Sequence, residues 1–109
     1  MKTALLSVLL IVVLSAAAPD TQTFTGTVSD DMCALADHSQ MRMGSTDAEC
    51  TTACVSAHGA AYVLSDGKSF YTLSEHPTLE RFAGRKVSVT GTLDAKTRTI
   101  QVESIAAAQ

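Results

Sequence analysis

Residues 86–105 read KVSVTGTLDAKTRTIQVESI, two alternating runs either side of a polar turn, and they decide the fold class. Val87, Val89, Gly91 and Leu93 share one face of the first run, the period-2 pattern of a half-buried strand. Asp94 to Arg98 turn the chain into Thr99 to Ile105, where Ile100 and Val102 share a face. Ile105 breaks that alternation, so a bulge or strand end is expected near Ser104, with Ala106 to Gln109 as a frayed tail.

Upstream, Ala60 to Leu64 and Ser69 to Leu73 flank Ser65-Asp66-Gly67-Lys68, whose Asp-Gly step signals a tight turn and hence a hairpin. Pro77 and Thr78 open a short helix over Leu79 to Ala83 that stops at Gly84. Near the start, Phe24, Gly26 and Val28 alternate with Thr25, Thr27 and Ser29, giving one more strand ended by Asp30-Asp31 as turn formers. Thr46-Asp47-Ala48-Glu49 forms a capping box for a helix from Asp47 to His58, with Gly59 as its stop. The expected architecture is mainly β with one or two short helices: a five-stranded OB-like Greek-key barrel or partly open sheet, with the helix inserted after the first strand.

Residues 1–18 read as a signal peptide. Lys2 supplies the charged start, Ala4 to Leu14 the apolar stretch and Ser15 to Ala18 the small-residue cleavage region. As a helix, Ala4 to Ala18 would reach only about 22 Å, short of the roughly 30 Å hydrocarbon core. A periplasmic or secreted product is expected, with no stable membrane insertion after cleavage. Residues 19–109 then form a single small domain, near the lower limit for a core without a covalent or metal staple.

With Lys2 removed, seven basic groups face eleven acidic ones, a net charge of −4. That balance argues against nucleic acid and anionic membrane surfaces, both of which need a basic patch. The partner expected instead is a protein or an envelope component.

The chemistry concentrates in residues 30–59, which carry Met32, Cys33, His38, Met41, Met43, Cys50, Cys54 and His58. Thiolate, thioether and imidazole are the ligands that copper and zinc prefer. Cys50, Cys54 and His58 are four apart on a helix and form one stripe drifting about 40° per step. A loop folding Cys33 and His38 over that stripe would assemble a Cys₃His set from Cys33, His38, Cys50 and Cys54, with Met41, Met43 and His58 as auxiliaries.

The competing expectation is a disulfide, since an oxidising compartment pairs thiols. Cys33 with Cys54 or Cys50 would close about 20 residues and stabilise the fold by roughly 3 kcal/mol in the chain-entropy model. Cys50 with Cys54 is disfavoured by their parallel side-chain directions on one helix. The leftover cysteine would be a buried thiol or would join two copies into a dimer; otherwise the chain is a monomer. Met41 and Met43 equally suit gap-filling contacts, and His58 suits a helix C-terminus.

No catalytic constellation emerges, and the chain is expected to be non-enzymatic. A Cys33-His38 nucleophile pair lacks an oxyanion loop, and Cys50-x₃-Cys54 is one residue longer than the dithiol motif of oxidoreductases.

The chain also resembles, over nearly all of its mature length, a group of small exported bacterial proteins classed as a domain of unknown function. The likeness rests on Gly26, Asp30, Met32-Cys33, His38, Cys50-Thr51-x-x-Cys54-Val55, Tyr62-Val63-Leu64, Asp66-Gly67, Tyr71-x-Leu73 and Gly84-x-x-Val87-x-Val89-x-Gly91-Thr92-Leu93. It implies an exported OB-like domain and brings no activity with it. The reading is an exported binding or interaction domain stapled by a disulfide, with soft-metal binding of copper or zinc as the alternative.

Overall fold

The computed structural model describes residues 20–34 and 46–108. Residues 1–18, read from sequence as a signal peptide, and three of the candidate ligands, His38, Met41 and Met43, lie outside the described residues. The elements in chain order are β1 (Gln22–Asp30), α1 (Asp47–His58), β2 (Tyr62–Ser65), β3 (Phe70–Leu73), a single 3₁₀ turn (Glu80–Phe82), β4 (Lys86–Asp94) and β5 (Thr99–Ala107). The strands close into a ring in the order β1-β2-β3-β5-β4. That is the Greek-key order of an OB-like barrel, and the helix sits between β1 and β2.

β1 is long enough to serve two neighbours. Its residues Gln22 to Thr27 pair antiparallel with β4, and Thr27 to Asp30 pair antiparallel with β2. A short parallel seam joins β3 to β5 through Thr72↔Thr99 and Leu73↔Ile100. Ser74 backs the seam: its Oγ accepts the Val102 N–H at 2.8 Å and its own N–H donates to the Ile100 carbonyl at 2.9 Å. Val28, Leu64, Leu73, Leu79, Val87, Val89 and Ile100 fill the interior, with Phe24 and Tyr71 meeting edge to face beside them.

Two details of β5 bear on the sequence reading. Thr90↔Ser104 is followed by Gly91↔Val102, which leaves Glu103 as the extra residue of a bulge at the point where the alternation breaks. Ala106 and Ala107 are not frayed: they pair with Ser88 and Val87, because β4 offers backbone groups there that need partners.

The hairpin turn between β2 and β3 is built by Asp66, whose Oδ1 accepts the Ser69 and Lys68 N–H groups, both at 2.8 Å. These bonds, Ser69 first, hold its carboxyl below the usual carboxylate range. Gly84 joins α1 to the barrel. Its N–H donates to the Val28 carbonyl at 2.8 Å, its φ is 74°, and a side chain there would come within 2.7 Å of the Ala48 backbone nitrogen. Only glycine allows both that backbone and that approach.

Candidate metal centre

The site begins at the end of β1. Asp30, read from sequence as a turn former, is fully buried, and its Oδ2 accepts the Cys33 N–H at 3.1 Å. The same N–H lies 3.3 Å from the Asp30 carbonyl. This closes a tight turn over residues 31–34 that carries Cys33 inward. The turn is tied down on both sides. Asp31 exchanges bonds with Ala61, its N–H to the Ala61 carbonyl at 3.0 Å and its Oδ1 from the Ala61 N–H at 3.3 Å, while the Ser65 hydroxyl donates to the Ala34 carbonyl at 3.2 Å.

The facing wall is α1. Thr46 caps it by accepting the Glu49 N–H at 3.1 Å, as the capping box requires, and Gly59 ends it in the left-handed region at φ 67°. Its buried residues are Cys50, Thr51 and Cys54, with no large aliphatic side chain among them. The Sγ atoms of Cys33, Cys50 and Cys54 all lie within 4.8 Å of one another. Cys33 and Cys54 are 3.8 Å apart, and each of the three cysteines is 1 % exposed, with Ala60 packed against them.

Burial dominates the electrostatics. It pushes the Cys33 thiol up to about 12, helped by its hydrogen bond to Cys54 and by the nearby charge of Asp30. Burial also raises Cys54, with the contact to Cys33 working the other way and Asp30 adding to the rise. Without a metal these two sulfurs carry protons at neutral pH, and a protonated thiol is a poor nucleophile. Two buried polar atoms, Asp30 Oδ1 and Thr51 Oγ1, have no hydrogen-bond partner among the described residues.

The structure therefore brings together three of the candidate ligands. His58 is exposed and outside the group, because the 40° drift per step along the helix carries the third member of the stripe out to solvent. Met32 follows the same pattern at the surface, 45 % exposed although it adjoins Cys33. His76 is elsewhere, its Nδ1 2.8 Å from the Thr78 hydroxyl. Sequence reasoning took Asp30 as a turn former and did not place it in the site, although it stands three residues before Cys33. Beside the cluster, a groove of about 710 Å³ runs from the end of α1 to the start of β2, with Val55, Ala60, Tyr62, Leu73 and Leu79 among its walls.

No protein-family model, curated protein or solved structure matches the chain. A Zn–S bond of about 2.3 Å places sulfurs about 3.8 Å apart in a tetrahedral set and about 4.0 Å apart in a trigonal one. The Cys33 to Cys54 separation of 3.8 Å already equals the first value, and the 4.8 Å limit on the others leaves roughly an ångström to close. No helix among the described residues is long and apolar enough to cross a membrane.

Proposed function

We propose that the chain is an exported soft-metal-binding domain that holds Cu(I) or Zn(II) on Cys33, Cys50 and Cys54. The observation that carries this reading is the third sulfur. A crosslink needs two thiols, yet three from two separate elements converge within 4.8 Å in a dry site. Buried Asp30, whose Oδ1 has no hydrogen-bond partner among the described residues, adds a nearby charge that a cation would offset. His38 is the residue we assign to the fourth position for Zn(II), with Met41 or Met43 as thioether auxiliaries for Cu(I). The charged start at Lys2 and the apolar run Ala4 to Leu14 support delivery to the periplasm or beyond.

The test is elemental analysis of full-length protein isolated from the periplasm without oxidation, followed by titration of the reduced, metal-free chain. One equivalent of copper or zinc is expected. Structural zinc sites are worth about 10–16 kcal/mol across four ligands, so Cys50→Ser costs on the order of 3 kcal/mol, roughly a hundredfold in affinity. Failure of the reduced chain to take up either metal ends this reading.

The 3.8 Å contact favours a second reading, in which Cys33 and Cys54 form a disulfide that staples a module for binding a protein or envelope component. Thiol titration of the protein as isolated then finds one reactive cysteine of three, and no metal.

A further inference from the structure

The three sulfurs differ in what they can bond to. Cys50 and Cys54 stand four residues apart on α1, held with their Cα–Cβ bonds nearly parallel by the helix. A disulfide needs a Cβ–S–S–Cβ angle near 90°, which two parallel side chains on a rigid helix reach only by distorting it. Cys33 approaches from a different element, the turn that follows β1, and its sulfur lies 3.8 Å from that of Cys54. Closing 3.8 Å to a bond of about 2.05 Å asks for side-chain rotation and a small shift of a four-residue turn, not for unwinding of α1.

We infer that Cys33 and Cys54 are an oxidation site, pairing with each other to the exclusion of Cys50, and that this pairing is the release switch of the three-sulfur cluster. The second half rests on the metal-binding reading above. In the reduced chain three sulfurs are available to one ion. After pairing, only Cys50 remains as a thiolate donor, and one thiolate does not hold Cu(I) or Zn(II) against solvent.

The step is a thiol–disulfide exchange with a small disulfide such as oxidised glutathione. The Cys33 sulfur, in the minor fraction that has lost its proton to solvent, attacks one sulfur of the oxidant, whose S–S bond breaks and whose other half takes up a proton and leaves as a thiol. The Cys54 sulfur then displaces the second half, forming the Cys33–Cys54 bond. Two protein thiols lose two electrons and two protons, and one external disulfide becomes two thiols. At 1 % exposure for every sulfur, the oxidant is a small molecule.

The experiment uses the full chain, reduced, in metal-free and metal-loaded aliquots. Each is exposed to oxidised glutathione, quenched with an alkylating agent and mapped by peptide mass spectrometry. The expected result is a mass loss of about 2 Da, a crosslinked peptide pair containing Cys33 and Cys54, and alkylation of Cys50 alone. Cys50→Ser forms the crosslink as readily as the parent, Cys33→Ser forms none, and the loaded aliquot loses its metal in step with crosslinking. A predominant bond to Cys50, or a ready Cys50–Cys54 bond in Cys33→Ser, overturns the pairing. Metal retained alongside the Cys33–Cys54 bond overturns the switch. A reduced chain that takes up no metal removes the metal-binding reading and the release half together, while the peptide map still decides the pairing.

Discussion

The barrel interior and the cysteine cluster are both dry, but they are held by different means. Seven aliphatic side chains fill the barrel, and each contributes about 1.5–3 kcal/mol by leaving water. The cluster that docks α1 consists of three cysteines with Ala60 at its margin, and it lies among two buried polar atoms that lack partners. Each such atom costs about 1–3 kcal/mol. The difference teaches that the five-stranded ring has its own source of stability, whereas the contact between α1 and the turn carrying Cys33, beyond the hydrogen bonds that tie the turn down, draws on what the sulfurs do. A metal or a bond among them stabilises that region; three small side chains without either do so only weakly.

The largest test of this contrast removes aliphatic volume. Ile100 is fully buried and sits at the parallel seam opposite Leu73. Ile100→Ala is expected to destabilise the whole chain by about 2–5 kcal/mol, read as a lower urea midpoint for strand and helix signals together. Crosslinking Cys33 to Cys54 raises parent and variant alike and leaves the difference between them unchanged, since the cavity lies in the other cluster. A loss below about 1 kcal/mol would mean that the barrel is not the main source of stability.

A smaller effect separates the two regions. Thr46 caps α1 by accepting the Glu49 N–H, and Thr46→Ala forfeits about 1 kcal/mol of helix stability. In the reduced, metal-free chain that loss appears as faster amide exchange in Asp47–His58 while β4 and β5 keep their protection. In the crosslinked form the helix is tethered at Cys54 and the exchange difference narrows. Equal acceleration throughout the barrel would instead make α1 part of one cooperative unit with it.

The ring was legible because its signals are local. Alternation in residues 86–93, the Asp66-Gly67 turn and the Thr46 capping box each act through near neighbours, and β4, the hairpin and α1 follow them closely. What escaped reading is set by partners distant in sequence. Ala106 and Ala107 carry no periodic signal, yet the backbone of β4 recruits them. Asp30 reads as a strand-end turn former; it is also fully buried, with its Oδ2 accepting the N–H of Cys33. The stripe Cys50, Cys54, His58 was sound as helix geometry, but a narrow contact between helix and turn accommodates two of its three members.

The smallest effect is electrostatic and belongs to the barrel alone. Asp66 sits on the exposed β2–β3 hairpin, and its carboxyl lies below the usual range because the folded turn supplies the Ser69 and Lys68 N–H groups to the charged form. A carboxyl depressed on folding adds stability that is complete above its ordinary value of about 4 and is lost as the pH falls through the folded value. Asp66→Asn keeps an acceptor oxygen for those donors and removes the charge. The parent is therefore expected to have a slightly higher urea midpoint than the variant near pH 6, and the difference should shrink as the pH falls below about 4. The same pH series on crosslinked and reduced protein shows the same Asp66 increment, because the hairpin and the cysteine cluster stabilise different regions. An increment that changes with the state of Cys33 and Cys54 would show that the two regions are energetically coupled, and the division drawn here between barrel and cluster would fail.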